Sequence, residues 1–77
     1  MSTPAIAFIL IRVKSGLEHE VTAKLDQISD IKESHIVFGV WDLVAKIETP
    51  NLQKLDYIVT QIRKIAGVEQ TTTLLAT

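Results

Sequence analysis

No feature of this chain restricts its fold more tightly than the run Ala5 to Val13, which reads Ala-Ile-Ala-Phe-Ile-Leu-Ile-Arg-Val. Pro4 and Ser15-Gly16 bound it, and its β-branched and aromatic content suits a buried strand better than a helix. In an extended chain successive side chains point to opposite faces. Ile6, Phe8 and Leu10 therefore share one face and Ala7, Ile9, Ile11 and Val13 the other, so both are apolar. An antiparallel strand with one solvated face would alternate with polar residues. Something must cover each face of this one.

The segments that follow supply the cover for one face. Ser15-Gly16-Leu17-Glu18 has the form of a capping box, with the Ser15 hydroxyl accepting from an orphan N–H and Glu18 reaching back. The helix it opens carries Leu17, Val21, Leu25 and Ile28 on one face and ends near Ser29-Asp30. A second strand runs from Lys32 to Phe38 and a third from Asp42 to Glu48, in which Leu43, Ala45 and Ile47 share a face. The short link between them makes an antiparallel hairpin. Thr49-Pro50 marks a second helix start, Thr49 as N-cap and Pro50 at the first helical position. Leu52, Leu55, Ile58 or Val59, Ile62 and Ile65 form its apolar stripe, and Gly67 sits at the left-handed C-cap position. Val68 to Ala76 is the last strand.

Strand, helix, strand, strand, helix, strand, with right-handed crossovers, gives an α+β ferredoxin-like fold. That fold is a four-stranded antiparallel sheet with both helices on one face. With 77 residues there is room for one domain, residues 1–77. The helices leave the second sheet face bare, and a bare apolar face of several strands predicts that a second copy covers it, a dimer through the sheet face. The absence of cysteine supports the same expectation, since a chain this small has neither disulfides nor Cys-ligated zinc to stabilise it.

Composition narrows function mainly by exclusion. Eight Lys and Arg against nine Asp and Glu leave a net charge of -1, with the cations scattered, so direct nucleic-acid binding is not expected. The segment ahead of Ala5 has no Lys or Arg, and Arg12 and Lys14 close the apolar run far short of a membrane span. A soluble, cytoplasmic protein without membrane association is predicted. His19 and His35 have no partner at metal-ligand spacing, and neither a nucleophile elbow nor a phosphate-cradling glycine loop is present. No catalytic residue, metal or cofactor is expected. The hairpin is the remaining candidate. Asp42 after Gly39 reads as a turn residue in its own right, while Trp41 beside it packs on another subunit or covers a ligand.

The stretch Ile31 to Ile47, Ile-Lys-Glu-Ser-His-Ile-Val-Phe-Gly-Val-Trp-Asp-Leu-Val-Ala-Lys-Ile, with Gly67-Val68-Glu69-Gln70-Thr71-Thr72-Thr73 later on, resembles the effector-binding RAM domain of Lrp/AsnC-type transcriptional regulators. The resemblance covers essentially the whole chain, and its most specific element is Gly-x-aromatic-Asp-Leu at the hairpin. It implies dimers pairing through their sheets and assembling into octameric or decameric rings, with a free amino acid bound between neighbouring dimers. The matching ligand-binding positions are Gly39, Val40, Trp41, Asp42, Leu43, Thr71 and Thr73. Gly39 would let loop N–H groups approach a carboxylate, Asp42 would accept from an ammonium, and Trp41 would cover the side chain. Val40 stands where the family often has a polar residue. Only Met1 to Pro4 precede the first strand, so a stand-alone module without the helix-turn-helix domain is expected, acting through ligand-dependent assembly or association with a full-length regulator. Two other functions fit the same fold: a cofactor-independent monooxygenase of the dimeric α+β barrel kind, which needs a roomy polar cleft between sheet and helices, and a purely structural oligomerisation partner.

Overall fold

The computed structural model describes residues 3–77, so Met1 and Ser2, at the start of the segment ahead of the first strand, lie outside it. The elements run β1 (Ala5–Val13), α1 (Glu18–Asp26), β2 (Ile31–Ile36), β3 (Leu43–Thr49), α2 (Leu52–Arg63) and β4 (Val68–Leu75). The four strands make one sheet in the order β2-β3-β1-β4, and every neighbouring pair is antiparallel. This is the expected ferredoxin-like arrangement. The doubly apolar β1 occupies a central position, flanked by β3 and β4, as its sequence requires.

One face of β1, Ala5, Ala7, Ile9, Ile11 and Val13, is buried against the helices. Leu43, Ala45 and Ile47 of β3 join it from the sheet, and Val21, Leu25, Leu55, Ile58, Val59 and Ile62 meet it from α1 and α2. Each such Leu or Ile, fully withdrawn from water, contributes about 1.5–3 kcal/mol of transfer free energy. The other face carries Ile6, Phe8 and Leu10 of β1, Val44 of β3 and Leu74 of β4, with no element over it among the described residues; Phe8 keeps 40% of its surface in water.

Both helix starts differ from the sequence expectation. Leu17 holds the N-cap position of α1 without a side-chain cap, and only the Glu18 half of the box forms, Oε1 accepting from the Gly16 N–H at 3.2 Å. Ser15 is left out because the turn ahead of the helix closes between Lys14 and Leu17, their backbones bonding at 3.0 Å, and Leu17 packs on the core. At α2 the cap is Asn51, whose Oδ1 accepts from the Lys54 N–H at 2.8 Å. Thr49 cannot serve, because it is the last residue of β3, pairs with Ala5 and is buried. Leu52, counted in the apolar stripe, is 60% exposed at the first turn, on a shallow groove with Pro4, Leu75 and Ala76 beyond the end of the sheet. The C-terminal end of α2 differs as well: the helix stops at Arg63 with Lys64, in the right-handed region, as its C-cap, so Gly67 is not the cap; at φ +98° it belongs to the turn that leads into β4, and its carbonyl accepts from the Lys14 N–H at 2.8 Å.

Strands β2 and β3 are shorter at the hairpin than predicted. β2 ends at Ile36 and β3 begins at Leu43, which leaves residues 37–42 as a loop.

Candidate functional site

The loop 37–42 lies at the end of the sheet where β1 finishes and β4 begins. Pairing of β1 with β3 stops at Ile11 and Leu43, and on the β4 side a bulge falls between Arg12 and Val13. The Val13 N–H is therefore past the end of the β3 ladder, and a backbone donor withdrawn from water needs an acceptor. Asp42 provides it. Its Oδ2 accepts from the Val13 N–H at 2.8 Å, its backbone N–H donates to Ile11 O at 2.9 Å, and its carbonyl accepts from the Val37 N–H at 2.9 Å. Two of these bonds fasten the Asp42 end of the loop to β1, and the third closes the loop on itself by joining its first residue to its last. Asp42 thus has a structural role, but its side chain bonds β1 across the sheet end and not the local turn backbone, and Oδ1 is left without a protein partner among the described residues.

The rest of the loop stands away from the core. Gly39 adopts φ +126° with open space where a side chain would project, so backbone conformation alone calls for glycine there. Phe38 is fully exposed and Val40 largely so, which makes the tip apolar. Trp41 is half-buried. Its ring lies beneath the Arg12 guanidinium, the carbon of which is 5.7 Å from the ring centroid, and Arg12 Nη2 donates to the Val40 carbonyl at 3.2 Å. On the helix side, Val37, Phe38 and Asp42 line a cavity of about 260 Å³ together with Ile36 and with Glu18 and His19 from the start of α1.

Of the seven predicted ligand residues, the protomer brings together Gly39, Val40, Trp41 and Asp42. Leu43 follows them in sequence but is wholly buried in the core. Thr71 and Thr73 pair with Ile11 and Ile9 on the far side of β1 and face α2. There Thr71 Oγ1 accepts from Arg63 Nε at 3.1 Å, and Thr73 Oγ1 is buried without a partner. They do not meet the loop within one protomer. Arg12 is a neighbour of the loop that residue patterns alone do not single out, and Glu18 and His19, read from sequence only as a cap residue and an unpaired histidine, line the cavity beside it. The signal for Arg12 is a lone charge ending an otherwise apolar strand face; its meaning appears only once the register places Ile11 opposite Leu43. His35 lies on the outer sheet face, with Nε2 3.3 Å from Glu33 Oε1. Among the described residues no group of His, Cys, Asp or Glu is arranged to hold a metal ion, and no helix is long and apolar enough to cross a membrane.

The family model for the Lrp/AsnC ligand binding domain matches residues 6–77. This chain belongs to the Lrp/AsnC ligand-binding domain family. It is 40% identical over 70 residues to the HTH-type transcriptional regulator FL11 of Pyrococcus furiosus, an alignment that covers 91% of this chain and 46% of that protein. An uncharacterized HTH-type transcriptional regulator of Pyrococcus horikoshii is likewise 40% identical, over 74 residues, covering 91% of this chain and 49% of the relative. The Lrp/AsnC-like chain thus spans about half the length of the curated relatives it matches. Among solved structures it is similar to FFRP-DM1, with 39% identity, a TM-score of 0.92, and coverage of 95% of this chain and 99% of that one. The AsnC protein of E. coli, 23% identical with a TM-score of 0.86 over 50% of its chain, shares the fold.

Proposed function

We propose that this Lrp/AsnC domain is an oligomeric effector-binding module of transcription regulation, which pairs through its outer sheet face and binds a free amino acid at the hairpin loop. The observation that carries the reading is the fastened loop. Asp42 ties the end of the loop to β1 through Val13 and Ile11 and closes the loop through the Val37 N–H, while Arg12 holds the Val40 carbonyl, so the loop is largely shaped before a ligand arrives, and a preformed site loses less ordering entropy on binding. The bare apolar face supports the pairing. Thr71 and Thr73, remote from the loop in their own protomer, would join a site only between copies. Binding there shifts assembly to the extent that the ligand distinguishes the assembly states, whether rings of this chain, octameric or decameric, or mixed assemblies with a full-length regulator.

A screen of the standard amino acids by thermal shift tests binding, with at least one expected to raise Tm. Native mass spectrometry of the same samples tests assembly. A monomer unaffected by any amino acid would count against both halves of the proposal. The regulatory family points to a non-catalytic module, and the packing agrees: Ile9, Ile11, Leu43, Ile47, Ile58 and Ile62 fill the space between sheet and helices in which a monooxygenase-like cleft would lie.

A further inference from the structure

We infer that Arg12 is the residue that recognises the anionic group of the ligand at the hairpin loop, an assignment that rests on the reading of that loop as an amino-acid site. Arg12 projects from the outer face of β1 beside the loop, and it is the one side chain of that strand with a charge. A long exposed side chain ordinarily samples many rotamers, at a cost of up to ~2 kcal/mol when it is fixed. Two contacts already restrict this one. Nη2 is held by the Val40 carbonyl at 3.2 Å, and the guanidinium lies over the Trp41 ring at 5.7 Å. A guanidinium that spends one N–H on a carbonyl and sits over an aromatic ring still has its other N–H donors, in the fork geometry that matches a carboxylate.

The charge is also unspent. Among the described residues the one ion pair is His35 with Glu33, on another strand, so Arg12 has no carboxylate within ion-pair distance. Asp42, the nearest acidic residue in the loop, directs Oδ2 to the Val13 N–H instead. Asp42 and Arg12 therefore divide the labour that the family resemblance placed on the loop. The carboxylate fastens the backbone, while the guanidinium and Trp41 present a cationic donor edge beside an apolar ring. A carboxylate with an apolar side chain suits that pair: the anion meets the fork and the side chain meets the ring.

Arg12 could instead do no more than fasten the loop, and the two roles separate experimentally. Trp41 is the only tryptophan in the chain, so its fluorescence reports the loop alone. Each amino acid that stabilises the wild-type chain is titrated by this signal against Arg12→Gln and Arg12→Lys, in parallel with the corresponding amine that lacks the carboxylate. For Arg12→Gln the amino acid is expected to weaken by about ten-fold or more, the size of one lost charge-assisted contact, while the amine binds wild type and variant alike. Arg12→Lys should fall between, since it keeps the charge and loses the fork. Equal affinity of wild type and Arg12→Gln for the amino acid overturns the assignment. Equal weakening of amino acid and amine overturns it too, because that pattern belongs to a misplaced loop. If no amino acid alters the wild-type signal, the amino-acid reading itself fails and takes the assignment with it, an outcome seen before any variant is made.

Discussion

Asp42 and Gly67 show how much of this small fold hangs on single positions with no obvious apolar burial. Removing the Asp42 side chain in Asp42→Ala leaves the Val13 N–H past the end of the ladder without its acceptor, at an expected cost of about 1–3 kcal/mol. Asp42→Asn retains a carbonyl oxygen at the same place and should cost well under half as much. Urea denaturation of the three proteins checks the ordering, and equal loss in both variants would mean that charge, and not the bond to Val13, is what matters. The asparagine variant is for the same reason the cleaner probe of ligand binding, because it alters the charge while keeping the loop fastened. Gly67 is constrained twice. Its φ of +98° is unfavourable for other residues, and a Cβ there would lie 2.9 Å from Leu17 Cδ1 and 3.3 Å from Leu17 Cβ. Gly39, at φ +126°, faces open space. Gly67→Ala is therefore expected to cost about 2–4 kcal/mol, backbone strain plus overpacking, against about 1–2 kcal/mol for Gly39→Ala. Matching melting temperatures for the two would refute the packing half of that explanation.

At the level of elements, α2 offers a direct test of where a helix begins. Its cap is the Asn51 side chain on the Lys54 N–H, so Asn51→Ala should lose about 1 kcal/mol and lower Tm by several degrees, while Ser15→Ala, ahead of α1, should be nearly silent. The reverse result would restore the cap positions that sequence spacing favours. The reason spacing errs is tertiary. Thr49-Pro50 is a sound helix start in isolation, but pairing of Thr49 with Ala5 extends β3 and moves the cap on by two residues. The element order and the buried stripes at Val21, Leu25, Leu55, Ile58 and Ile62 are legible because they follow from period, residue type and turn signals, and the antiparallel ferredoxin-like sheet follows from that order by the handedness of its crossovers. The site is legible only as far as neighbours in sequence reach. Gly39 to Asp42 can be read as one loop, whereas the bond from Val13 to Asp42 and the seat of Arg12 over Trp41 span 29 positions in each case, and depend on a register and a bulge that no local pattern encodes. Leu43 shows the converse, since adjacency places it with the loop while strand alternation sends its side chain into the core.

For the molecule as a whole, the deciding question is what covers the outer sheet face. Phe8 stands near its centre, with Lys46 of β3 and Leu74 of β4 as cross-strand neighbours, and Ile6 and Leu10 lie beside it on the same strand. In the lone protomer this position is partly exposed, so Phe8→Glu buries no charge there, and the new carboxylate comes to lie next to Lys46, a favourable cross-strand pairing. In a sheet-to-sheet dimer the same carboxylate would be desolvated against a second apolar face, which costs several kcal/mol per ion. The variant is thus expected to fold and to fail to pair. Light scattering coupled to size exclusion should return a single-chain mass for Phe8→Glu and a multiple of it for the wild type. Because pairing stabilises the folded chain by mass action, the wild-type Tm should rise with protein concentration and that of the variant should not. A Phe8→Glu protein that keeps the wild-type mass and concentration dependence would show that the copies meet elsewhere, and pairing through the sheet would then no longer explain why β1 is apolar on both its faces.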